Sequence, residues 1–115
     1  KTGALLRLPL EAGAIFAGAS RDDVERLGRF GAIVGVAFQI ADDLLDVEAS
    51  PQAMGKATGK DAARGKGTLV ALHGVAAMKA ELARLVEAAG AELAPFGARA
   101  DTLLAAARFI AERRN

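Results

Sequence analysis

From Phe30 to Val47 the chain is apolar almost without interruption, broken only by Gln39, Asp42, Asp43 and Asp46. Within and just before this run, Val24, Leu27, Val34, Phe38, Ala41 and Leu45 recur at helical spacing. Phe30, Ile33, Ile40, Leu44 and Val47 extend the apolar cover around much of the cylinder. A helix apolar on most sides is an interior helix rather than a surface one. The pattern predicts one long helix over about 21–47, and a fold built to surround it. Ser20 stands in the N-cap position, and Asp22 and Asp23 fall in the first turn, where carboxylates suit the positive end of the helix dipole.

The remaining segments read as helices too. Of the apolar residues, 28 are Ala and 14 are Leu, β-branched residues are few, and little period-two alternation occurs. That composition predicts an all-α domain. Residues 2–18 carry Leu5, Leu6, Leu8, Ala12, Ile15 and Phe16 at helical spacing, with Pro9 expected to kink or split the helix. Residues 49–67 read as a loop, opened by Ser50-Pro51 and punctuated by Gly55, Gly59, Gly65 and Gly67. Thr68 is a candidate cap for a helix over 69–89, with Gly74 as a break and Gly90 as a terminator. Pro95 and Gly97 mark a further turn. A last helix over 98–113 turns Leu103, Leu104, Ala107 and Ile110 inward and ends in Arg113-Arg114, expected to complement the helix dipole.

At 115 residues the chain is one domain, with a thin core poor in aromatics. Its net charge of +1 argues against a strongly basic nucleic-acid binder. With no Cys and a single His, His73, it has no disulfide framework, no thiol nucleophile and no multi-histidine metal site. No run of 18 apolar residues predicts a membrane span. Lys1-Thr2-Gly3 lacks an initiator Met and a signal-peptide layout, and reads as the interior of a longer chain. His73 reads as a packed or half-exposed histidine, and Met54 and Met78 as fillers of core gaps.

Three features point to chemistry. On a helix turning about 100° per residue, Gln39, Asp42, Asp43 and Asp46 share a sector of about 100°. At ~6 Å and an effective dielectric near 20, each pair of ionised carboxylates there repels by roughly 3 kcal/mol. Water offsets this on an open, solvated stripe; a hard divalent cation does so better, and Mg²⁺ commonly takes one or two carboxylates with substrate phosphates. Beneath the acids, on nearly the same face, lie Gly28, Gly31, Ala32 and Gly35. These small residues leave either a slot for an apolar tail or a site of close helix packing. Past Asp46, the stretch from Lys56 to Lys66 holds four cations and one anion among glycines. It is either a solvated basic loop or a cradle for phosphate oxygens. It is not a Walker loop, since Lys60 and Gly67 stand where Gly and Ser or Thr are required.

Phe38-Gln39-Ile40-Ala41-Asp42-Asp43-Leu44-Leu45-Asp46, followed by Gly55-Lys56, Asp61 and Gly65-Lys66, resembles the second aspartate-rich motif and following loop of the trans-polyprenyl diphosphate synthases. The spacing of Lys56, Asp61 and Lys66 is similar to the bacterial farnesyl diphosphate synthase (geranyltranstransferase) branch. Lys1-Thr2-Gly3-Ala4-Leu5-Leu6 resembles the Lys-Thr segment one helix earlier, and Ala107-Arg108-Phe109-Ile110 with Arg113 resembles the family's C-terminus.

The resemblance implies that residues 1–115 are the C-terminal portion of an isoprenoid-synthase-type helical bundle. The second aspartate-rich motif would lie at 42–46, a phosphate loop at 55–68, and the N-terminal half would be absent. It implies head-to-tail prenyl transfer between isopentenyl diphosphate and an allylic diphosphate, dimethylallyl or geranyl, in a cytoplasmic homodimer. The cofactor would be Mg²⁺, with Mn²⁺ as a substitute. Asp42 would be the main metal ligand, supported by Asp43 and Asp46. Lys1, Lys56 and Lys66 would contact the diphosphate, Thr2 and Gln39 would face the reacting carbons, and Gly28, Gly31, Ala32 and Gly35 would flank the tail. Competing readings are a geranylgeranyl or longer-chain synthase, and a non-catalytic helical regulatory or assembly subunit.

Overall fold

The computed structural model describes residues 2–48 and 69–113. Its elements are α1 (Thr2–Phe16), α2 (Arg21–Glu48), α3 (Leu69–His73), α4 (Val75–Leu93), a 3₁₀ segment (Ala94–Ala100) and α5 (Asp101–Glu112). Among the described residues no strand occurs, so the all-α expectation holds. Lys1, the 49–68 segment with its glycines and lysines, and Arg114 lie outside the described residues.

α2 is the axle. It begins where the sequence places it: the Asp23 amide donates to the Ser20 hydroxyl at 3.2 Å, and the Val24 amide to the Ser20 carbonyl at 3.0 Å. The capping oxygen thus satisfies one of the amides that a helix start leaves without a partner. The other helices pack around α2. On one side α1 runs antiparallel: a Cβ built on Gly28 would meet Glu11, one on Gly31 would meet the backbone of Arg7, and one on Gly35 the backbone of Gly3. On the other side α4 also runs antiparallel. Phe30 and Val34 share a cluster with Ala89 and Leu93, while Ile40 and Leu44 share one with Met78, Leu82 and Leu85. α5 returns across both, placing Ala107 in the first of these clusters and Ala111 against the second. Ile40 is only 1% exposed, and burying a side chain of its size contributes about 1.5–3 kcal/mol.

The structure departs from the expectations at several points. Pro9 lies inside an unbroken α1. It is exposed, and Leu5, whose carbonyl loses its amide partner to the ring, is on the solvent side too, so water can take that bond. Of the apolar residues noted in α1, Leu6 packs against the core, whereas Leu5, Leu8, Ile15 and Phe16 are exposed. The face applied to α2 is instead the one carrying Gly3, Arg7 and Glu11, which fits the glycines opposite. Gly74 does break the third helical stretch in two, with φ at 88°. Gly90 does not end it: α4 continues to Leu93, where the 3₁₀ turn carrying Pro95 takes over. Gly97, at φ 58°, makes the bend before α5, which starts at Asp101 rather than 98. Met78 fills core as expected, and His73 is exposed at the end of α3.

Candidate active site

The chemistry-bearing residues of α2 sit near its C-terminal end, beyond the part sealed by α1. Gln39 and Asp42 are exposed, Asp43 is half-buried and Asp46 is exposed. The same turns bury Ile40, Ala41 and Leu44 against α4. One helix therefore anchors its apolar face in the core and presents its polar face outward, which fixes the backbone that carries the acids. Gln39 Nε2 donates to Asp43 Oδ1 at 3.2 Å, an i,i+4 contact that orients the amide.

Asp42 has a partner from the far end of the chain. Arg113, immediately after α5, donates from Nη2 to Asp42 Oδ1 at 3.2 Å. Its guanidinium lies over the Phe38 ring, 4.5 Å from the centroid, within the range of a cation–π contact. Arg113 Nε is buried with no hydrogen-bond partner among the described residues. The sequence reading assigned Arg113 to the helix dipole; its guanidinium instead reaches across to α2. A signal for this was present in Phe38 and Asp42, an aromatic and an acid four residues apart on one helix face, which together suit a guanidinium. Nothing in the local pattern of α5 names the cation that answers them.

Thr2 opens α1, and its carbonyl carbon would lie 3.4 Å from a Cβ on Gly35. Gly35 is one helical turn below Gln39, so the start of α1 and the polar face of α2 meet at the same end of the molecule. The slot expected along Gly28, Gly31 and Gly35 is not there. All three are buried, and the backbone or side chains of α1 occupy the space. Of the two readings open for these glycines, close helix packing is the correct one; Ala32 beside them is half-buried. An open cavity of about 420 Å³ does exist on the opposite side, between α2, α4 and α5, with Leu44, Leu45, Leu82 and Val86 on its walls. Lys79 and Glu48 pair at 2.5 Å beside it.

Residues 1–95 match the family model described as polyprenyl synthetase. The chain belongs to the polyprenyl synthetase family. It is 42% identical to a dimethylallyltranstransferase of Fischerella ambigua over 98% of its own length and 33% of the relative's. It is 40% identical to a geranylgeranyl diphosphate synthase of Cyanophora paradoxa, over 100% of this chain and 38% of that one. Against a farnesyl diphosphate synthase of Geobacillus stearothermophilus the figure is 42%, over 77% of this chain and 30% of the relative. The chain spans about a third of the length of the curated relatives it matches.

Within this polyprenyl synthetase chain, no three acidic or histidine side chains among the described residues converge to hold a metal ion. The three carboxylates are thus not gathered into one cage: Asp42 faces Arg113, and Asp43 accepts from Gln39. The donors present still suit Mg²⁺ in part. They are hard oxygens on an exposed helix face, and Mg²⁺ is usually held by one or two carboxylates while waters and phosphate oxygens complete its shell. No helix among the described residues is long and apolar enough to cross a membrane.

Proposed function

We propose that the protein carrying this chain is a prenyltransferase that joins isopentenyl diphosphate head to tail to dimethylallyl or geranyl diphosphate, giving farnesyl diphosphate. Residues 1–115 would be its C-terminal portion, with the second aspartate-rich motif at 42–46 and a phosphate-holding segment at 55–68. The observation that carries this reading is the outward-facing stripe of Gln39, Asp42, half-buried Asp43 and Asp46 on a helix otherwise locked into the core, with Thr2 one turn away.

In such a reaction the allylic carbon–oxygen bond breaks and diphosphate departs with the electron pair. The double bond of isopentenyl diphosphate then attacks the allylic cation, and a proton is lost. No nucleophilic side chain is required; the demand is for stabilising charge on the leaving group and on the cation. Mg²⁺ or Mn²⁺, held by Asp42 with Asp43 and Asp46 in support, would neutralise the leaving diphosphate. Lys1, Lys56 and Lys66 would supply point charges to the same oxygens. Gln39, whose amide nitrogen is engaged by Asp43, would offer its remaining oxygen dipole to the cation. Thr2 would act similarly from α1.

A geranylgeranyl product is the second reading, favoured by relatives of that name matching the whole chain at 40% identity. A cytoplasmic homodimer is the proposed working form. A purely regulatory subunit fits less well, because all three aspartates of the motif are in place.

The test is turnover of the full-length protein with isopentenyl and dimethylallyl diphosphates, with product length read by chromatography. Asp42→Asn should lower turnover at least about a hundredfold. Its melting temperature should move little, since an exposed ion pair contributes only about 0–1 kcal/mol. Equal losses of activity and stability would reduce the carboxylate face to a structural feature. The isolated 115 residues should form no product.

A further inference from the structure

We draw no further inference here: the strongest candidate, the open cavity of about 420 Å³ between α2, α4 and α5, carries nothing, because its cations Lys79 and Arg113 are already paired with Glu48 and Asp42 and nothing among the described residues shows what covers its apolar walls.

Discussion

Gly35 and Gly3 meet backbone to backbone where α1 crosses α2: a Cβ added to Gly35 would overlap the Gly3 Cα and lie 2.9 Å from its nitrogen. Two positions with no side chain thus set how closely the helices approach, and they do so one turn below Gln39. In an exposed helix interior, replacing Gly by Ala is stabilising by about 1 kcal/mol. Here the sign reverses. Gly35→Ala and Gly31→Ala, the latter 2.7 Å from the Arg7 Cα, should each destabilise by about 1–3 kcal/mol. Gly13→Ala, also in a helix but with nothing within 4 Å, should be stabilising by about 0.5–1 kcal/mol. Thermal melts of the three variants check both signs together.

The Ser20 cap predicts a graded series. Ser20→Ala removes the oxygen that accepts from the Asp23 amide and should lower stability by about 1 kcal/mol, whereas Ser20→Asp should keep it. Denaturant midpoints, with unchanged slopes, distinguish the two.

Among the described residues Ile40 is the most deeply buried large side chain, and it sits between Gln39 and the acids. Ile40→Ala should destabilise by about 2–5 kcal/mol through lost burial and a cavity. The same change at Val36, which is 47% exposed, should stay within about 0.5 kcal/mol. If the two losses were alike in a melt, α2 would not be packed as described.

Glu81 and Arg84 pair across one turn of α4, with Arg84 Nε 2.8 Å from Glu81 Oε2. The hydrogen bond from Arg84 holds the Glu81 carboxyl below its ordinary value. A lowered folded-state value means that this stabilisation is present above the ordinary glutamate range and is lost as pH falls through the lowered one. Carbon-detected NMR titration should place Glu81 below the ordinary glutamate range, and Arg84→Gln should return it to that range.

The features legible in the sequence were those decided locally. The span of α2, its Ser20 cap, the break at Gly74 and the bend at Gly97 follow from residues adjacent to each feature. What escaped depended on a distant neighbour. Pro9 is tolerated because its side of α1 is open to water, which periodicity alone does not reveal. Gly90 looks like a terminator, yet helix packing carries α4 past it. The glycines of α2 were readable as small, but only the course of α1 decides between a slot and a contact. In the candidate site, the i,i+4 link from Gln39 to Asp43 was implicit in the spacing. The tie between Asp42 and Arg113, 71 positions apart, was not.

The double clasp on α2, by α1 against its glycines and by α4 against Ile40 and Leu44, limits how this stretch can change in length. A single residue inserted between Gly35 and Gln39 would rotate everything beyond it by about 100°, carrying Gln39 and Asp43 into the buried places of Ile40 and Leu44 and Ala41 out to solvent. This helix can therefore exchange exposed side chains at little cost, but a change in its length between the two clasps would unseat one of them.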